Sequence, residues 1–262
     1  MKDTKALLLA AGLGTRLKPF TDIWPKCLMP IRNRPLLEYW LSILQKLGTS
    51  NVLVNTHYLS EYVEDFIKQP QFIDWVDSVY ESSLLGTAGT IRKNMEFCQN
   101  DTILLAHADN WTCCNFSDFL DYHNNHRPKD TVMTMMTFTC LDPKSCGIVE
   151  LDNNGVVVDF HEKVENPPGC LANAAVYLLE PEVIEWIKNN PAVNDFSTEV
   201  IPQFLDKIAT WKNKEIHRDI GTINALREAQ NDACNFSLWS KDNSWQQSFL
   251  ENQIHQLINN DS

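Results

Sequence analysis

The chain has 262 residues, of which 44% are hydrophobic and 21% charged, a balance that suits an ordinary folded core and excludes a disordered chain. Its formal net charge of −12 excludes general nucleic-acid binding, which needs a basic surface. No stretch approaches the ~20 apolar residues of a spanning helix, so the expected partners include neither nucleic acid nor membrane.

That charge is uneven. Residues 1–34 hold Lys2, Lys5, Arg16, Lys18, Lys26, Arg32 and Arg34 against Asp3 and Asp22, a local +5 that leaves −17 on the remainder. A basic pocket on an acidic body suits a small polyanion. The eight cysteines include no Cys-x-x-Cys pair and no framework spacing. They read as reduced, mostly buried residues of a cytoplasmic protein, with no zinc expected.

Ala6–Ala10 is a continuous apolar run entering glycines, as a buried strand would. Lys2 and Lys5 before it imitate a signal peptide, but Gly12, Gly14, Arg16 and Lys18 interrupt the run too soon. Pro35 opens a helix through Leu47 with Gly48 as its stop. Asn51–Asn55 is a second strand, Leu59–Lys68 a second helix, and Val79–Tyr80 part of a third strand. Leu85–Gly89 is a small-residue loop leading into a helix to about Phe97, and Thr102–Ala106 is a fourth strand. This alternation predicts a parallel sheet wound on both faces by helices, with ligands beyond the carboxyl ends of its strands.

Beyond residue 130 the pattern becomes β-rich. Thr131–Thr139, Ile148–Leu151, Val156–Phe160 and Ala174–Leu179 read as strands, with Asp152-Asn153-Asn154-Gly155 as a hairpin turn. A helix starts at Pro181, Thr198–Lys207 reads as helical despite Pro202, Glu215–Asp219 as a strand, and a further helix starts near Ile223. In the tail, residues 231–262, Leu250, Ile254, Leu257 and Ile258 form one helical stripe, suited to docking or to a homodimer contact. The expected class is therefore α/β: a Rossmann-like doubly wound, mostly parallel but mixed sheet, a β-rich second half and a C-terminal helical tail.

The string Leu9-Ala10-Ala11-Gly12-Leu13-Gly14-Thr15-Arg16-Leu17-Lys18-Pro19, followed by Pro25-Lys26-Cys27-Leu28, carries the most chemistry. Glycines admit phosphate oxygens to the backbone, whose successive N–H groups form an anion-binding concavity. Arg16 offers a forked donor and Lys26 a movable point charge. A dinucleotide fingerprint would need a third glycine where Leu17 stands, and no P-loop Gly-Lys-Ser/Thr is present.

With these residues in place, the chain resembles the sugar-1-phosphate nucleotidyltransferases, the family of the GDP-mannose, dTDP-glucose and related pyrophosphorylases, over about residues 5–230. The resemblance implies a catalytic domain over 1–230, its nucleotide half about 1–130 and its sugar half 131–230. It places Leu9, Ala11, Gly12, Gly14, Thr15 and Arg16 on the nucleotide. Leu85-Gly86-Thr87-Ala88-Gly89 resembles the base-reading loop of the GDP-mannose branch, which assigns Gly86, Thr87 and Ala88 to the base. Asp109 and Asp219 match the family's metal-binding carboxylates, so Mg²⁺ is the implied cofactor. Cys146-Gly147-Ile148-Val149, Glu162-Lys163 and Asn173-Ala174-Ala175-Val176-Tyr177 resemble its sugar-holding segments. They place Gly147, Glu162, Lys163 and Asn173 there, with Glu199 a looser match. Val164 replaces a family proline and Ala175 a family glycine. His57 and His107 lack ligand partners at helical spacing and read as structural.

The implied reaction joins a nucleoside triphosphate, GTP favoured, to a sugar 1-phosphate, mannose or manno-heptose favoured, and releases pyrophosphate. Arg16, Lys26, Asp109 and Asp219 carry it. The alternatives are a cytidylyl- or uridylyltransferase acting on another sugar phosphate or on phosphocholine, and a catalytically silent regulatory homologue. A dehydrogenase is a remote third.

Overall fold

The computed structural model describes residues 4–98, 100–234, 236, 238, 239 and 243–260; Lys2 and Asp3 of the basic segment lie outside them. The chain forms two compact units, and both draw on residues either side of 130. The first comprises Met1–Leu7, Leu85–Ala106 and Cys114–Glu215, the second Leu8–Leu84, His107–Cys113 and Ile216–Ser262. No helix among the described residues is long and apolar enough to cross a membrane.

In the second unit, strands Val52–Thr56 and Val76–Tyr80 pair in parallel, with helix Ser60–Ile67 as the crossover. Every residue of Val52–Thr56 is buried, which explains its unalternating sequence. Helix Leu36–Lys46 follows the extended Pro35 and buries Leu36, Leu37, Trp40 and Leu44; Gly48 beyond it has φ 72°, the left-handed residue that commonly ends a helix. A short antiparallel ribbon pairs Asn110–Cys113 with Ile216–Asp219 and sets Asp219 opposite Asn110. The tail is two helices rather than one stripe, Ser244–Leu250 and Gln253–Asn260. Phe249, Ile254 and Ile258 are buried, and Gln246 Nε2 donates to the Asn33 carbonyl at 3.1 Å.

One expectation is corrected here. Cys113 and Cys234 form a disulfide across 121 residues of sequence, so the cysteines are not all reduced. Spacing could not reveal it, because the partner of the ribbon cysteine comes from the distant tail.

In the first unit, the nine-residue strand Leu171–Leu179 is the hub of a mixed sheet. It runs antiparallel to Met133–Thr139 and Thr102–His107 and meets Gly147–Leu151 at Ala172. Met133–Thr139 pairs in parallel with Ile208–Lys212, a strand the pattern reading missed. The expected helix Thr198–Lys207 is instead a π turn Phe196–Val200 and a 3-10 turn Ile201–Phe204, because Pro202 cannot donate a helical hydrogen bond. The helix expected to reach Phe97 breaks at Asn94 into Thr87–Lys93 and Met95–Cys98. Gly147–Leu151 and Val157–Glu162 form the predicted hairpin, its turn held by Asp152 Oδ1, which accepts from the amides of Asn154 and Val156 at 2.8 Å each.

Candidate active site

The second unit gathers four of the residues singled out from sequence. Lys26 Nζ donates to Asp109 Oδ2 at 2.8 Å and to Asp219 Oδ1 at 2.7 Å. Arg16 Nη2 donates to the other oxygen of Asp219 at 2.7 Å. Strand Ile216–Asp219 ends at Asp219, and Asp109 sits just before the strand paired with it. The ribbon therefore delivers both carboxylates to one place.

Lys26 starts the 3-10 turn Lys26–Leu28, which Trp24 braces by donating Nε1–H to the Leu28 carbonyl at 2.8 Å. The Lys26 side chain is only 7% exposed, whereas Arg16 is 67% exposed. Burial pulls the Lys26 ammonium down, but Asp109 and Asp219 more than offset it and leave its pKa raised. Burial likewise pushes the Asp219 carboxyl up, and Lys26 and Arg16 reverse that, leaving it lowered. Lys26 and Asp219 thus hold each other in the charged form.

The glycine loop shows why its residue types matter. Gly14 has φ 61°, and a Cβ there would stand 2.7 Å from Thr21 Cγ2. A Cβ on Gly12 would meet no atom within 4 Å, so that backbone faces open space. Leu9 and Ala11 are buried and offer a ligand only their main chain, while Thr15 is exposed. The Ala10 amide donates to Asn55 Oδ1 at 2.7 Å, and Asn55 Nδ2 donates to Glu81 Oε1 at 3.1 Å. The sequence reading missed both side chains, and it also missed Gly221. A Cβ at Gly221 would meet Arg16 Nη2 at 2.7 Å and Asp219 Oδ2 at 2.8 Å. The Arg218-Asp219-Ile220-Gly221 string contained this signal, since a glycine beside a charged pair often marks close approach.

The first unit holds the other two groups. Gly86 has φ 77°, and a Cβ there would collide with the Asn194 carbonyl at 2.4 Å. That carbonyl accepts from the amides of Ala88 at 2.9 Å and Gly89 at 3.3 Å. Thr87 Oγ1 accepts from the Phe196 amide at 2.6 Å. Glu199 Oε2 accepts from the amides of Asn194 at 2.8 Å and Asp195 at 2.7 Å, and these bonds hold its pKa down. Glu199 therefore braces the segment on which the Gly86–Gly89 loop rests.

Gly147 lies where a Cβ would come within 2.5 Å of both Glu162 Oε2 and the Phe160 ring. Lys163 Nζ pairs with Glu162 Oε1 at 3.1 Å, and the Lys163 amide donates to the Cys146 carbonyl at 3.1 Å. Asn173 Nδ2 donates to the Tyr177 hydroxyl at 2.6 Å, and its Oδ1 accepts from the Ala175 amide at 2.9 Å. Ala175 is held at φ 51° inside an irregularity between Asn173 and Tyr177. Burial pushes the Tyr177 phenol up. His57 Nδ1 meets the Glu81 carbonyl at 2.7 Å, a structural contact.

Residues 5–235 match the profile of the Nucleotidyl transferase family. The chain belongs to that family. Among curated relatives, the chain is 31% identical over 222 residues to the mannose-1-phosphate guanylyltransferase of Mycobacterium tuberculosis, covering 83% of this chain and 61% of that protein. It is 30% identical over 218 residues to the UTP--glucose-1-phosphate uridylyltransferase of Synechocystis, covering 77% of this chain and 55% of that protein. The chain thus spans somewhat more than half the length of these relatives. Its fold is that of a putative glucose-1-phosphate thymidylyltransferase from Bacillus anthracis, solved in complex with a sucrose, with a TM-score of 0.77 at 19% identity over 87% of this chain and 94% of the other. It is also that of HddC from Yersinia pseudotuberculosis complexed with GMP-PN, with a TM-score of 0.72 at 22% identity over 88% and 99%.

Proposed function

We propose that this nucleotidyl transferase condenses a nucleoside triphosphate, GTP favoured, with a sugar 1-phosphate, mannose or manno-heptose favoured, and releases pyrophosphate. The observation that carries the reading is the charge cluster in which Lys26 joins Asp109 and Asp219 while Arg16 holds the second Asp219 oxygen. Family membership and the guanylyltransferase name of a 31% identical relative support the reaction type and the base. A cytoplasmic location is proposed from the need for a triphosphate alone, since the Cys113–Cys234 disulfide removes the argument from reduced cysteines.

The reaction is an in-line displacement at the α-phosphorus. The attacking phosphate oxygen is already ionised, so the residues need to position and neutralise rather than take a proton. Arg16 and the open Gly12 backbone face the departing pyrophosphate, and Lys26 serves the α-phosphate and the sugar phosphate. Glu162 and Lys163 grip the sugar phosphate, and Gly147, lacking a side chain, leaves the space in which Glu162 sits. Asp109 and Asp219 fit a hard divalent cation, because one oxygen of each already converges on a single positive centre. Bound there, Mg²⁺ would draw charge from phosphate oxygens.

The test is a matrix of triphosphates against sugar 1-phosphates with Mg²⁺, read by pyrophosphate release. Turnover with GTP and a manno-configured phosphate is expected, and Asp109→Asn should lower it by orders of magnitude without unfolding the chain. Turnover only with UTP would favour a uridylyltransferase, the activity named for the Synechocystis relative. Silence across the whole matrix would favour a nucleotide-sugar-binding regulator.

A further inference from the structure

We infer that Asp232 is a positioning residue for the candidate active site: it clamps both strands of the ribbon that carries Asp219 and follows Asp109, and so sets these carboxylates against Lys26. What the site does rests on the reaction proposed above; how the site is held rests on geometry alone.

The ribbon sets Asp219 opposite Asn110 and, one step along, Arg218 opposite Trp111. Asp232 meets both members of that adjoining pair. Its Oδ2 accepts from the Trp111 indole Nε1–H at 2.9 Å and from Arg218 Nε at 3.3 Å, and its Oδ1 accepts from Arg218 Nη2 at 3.3 Å. A guanidinium held at two nitrogens by one carboxylate is fixed in direction as well as distance. Glu228 accepts from Arg218 Nη1, so all three guanidinium nitrogens are engaged. Successive residues of a strand point to opposite faces. Asp232 therefore grips one face of the ribbon while Asp219 meets Lys26 and Arg16 on the other, and it acts on Asp219 through the strand.

The place of this carboxylate is unusual for its charge. Asp232 is the C-cap of helix Ile223–Asn231, where the helix dipole disfavours an anion, and its side chain is only 14% exposed; the Arg218 guanidinium offsets both costs. The segment around it is fastened on two sides. Gln230 Nε2 donates to the Pro30 carbonyl at 2.7 Å, and its Oε1 accepts from the Arg32 amide at 2.8 Å. The Arg32 guanidinium donates to the carbonyls of Gln230 and Asp232. Two residues on, Cys234 is bonded to Cys113 in the ribbon. Asp232 is thus fixed both to the chain leaving the Lys26–Leu28 turn and to the ribbon that faces Lys26. Removing its carboxylate frees Arg218 and the Trp111 indole together, one step from Asp219.

The experiment compares the full chain with Asp232→Ala and Asp232→Asn, each checked for folding by circular dichroism. Acetic anhydride labelling of Lys26, relative to exposed Lys163 and read by mass spectrometry, reports the ion pairs without any need for turnover. It should rise about threefold or more in Asp232→Ala and by less in Asp232→Asn, which keeps the size and one acceptor oxygen. A role confined to stability would leave that ratio unmoved. With the active substrate pair, Asp232→Ala should lower kcat by about tenfold to 100-fold, the cost of a misplacement near 1 Å, and change KM far less. Should Asp232→Ala fail to fold, Asp232→Asn decides. Unchanged Lys26 labelling in the folded variants, or a turnover loss confined to KM, would each overturn the inference. A parent chain silent on every substrate pair would sink the proposed reaction, and Lys26 labelling would still decide the role of Asp232.

Discussion

Asn55 holds the start of the glycine loop: its Oδ1 accepts the Ala10 amide at 2.7 Å while its Nδ2 reaches Glu81 at 3.1 Å. One buried amide side chain thereby satisfies a main-chain donor and a buried carboxylate at once. Asn55→Leu removes both functions without changing volume much. It should lower unfolding free energy by about 2 kcal/mol, measured by urea denaturation, and raise KM for the triphosphate more than it lowers kcat.

Lys26 occupies the place between two carboxylates that a divalent cation would fill. Lys26→Met should therefore bind Mn²⁺ several-fold more tightly in the absence of substrate, read by electron paramagnetic resonance. Unchanged affinity would place the metal elsewhere.

The same cluster sets a pH window. The lowered Asp219 pKa contributes stability that is present above its unfolded value of 3.8 and lost as pH falls through the folded one. The raised Lys26 pKa contributes stability that is present below its unfolded 10.5 and lost as pH rises through the folded value. Urea midpoints of Lys26→Met should accordingly show a shallower fall on both the acid and the alkaline limb.

Gly221→Ala would push a methyl between Arg16 Nη2 and Asp219 Oδ2. Because Arg16 is largely exposed, stability should move by less than about 1 kcal/mol. Turnover should fall sharply, since the pair is misaligned. A variant that kept full turnover would show that this pair does not serve the reaction.

Ala175 takes a left-handed backbone that disfavours a side chain. Ala175→Gly should raise stability by about 1 kcal/mol in thermal denaturation.

The disulfide Cys113–Cys234 encloses a long loop, so Cys234→Ser should destabilise the oxidised protein by about 2–4 kcal/mol. Reductant should reproduce that loss in the parent chain and leave the variant unaffected.

The legible parts of this chain were those written in local rules. The Gly12–Gly14 loop, the hairpin turn at Asp152 and the buried strand Val52–Thr56 each carry a short pattern with one physical meaning. Strand Asn110–Cys113 escaped notice because it is only four residues long and the polar Asn110 and Thr112 break any apolar run. Strand Ile208–Lys212 was hidden by an apparent helix running into it. Asn55, Asn194 and Gly221 escaped for another reason: two act on backbone groups far along the chain, and the third acts by having no side chain. Arg16, Lys26, Asp109 and Asp219 were found through motif resemblance. Their mutual contacts depend on long-range pairing that no local pattern records.

The burial of Lys26 has a consequence for its reactivity. An amine attacks an acylating reagent only when deprotonated, and two carboxylates hold the proton on Nζ while 7% exposure limits access. Lys26 should therefore label slowly with acetic anhydride beside exposed Lys163. A rise in its labelling on adding a divalent cation would report the ammonium leaving its carboxylates.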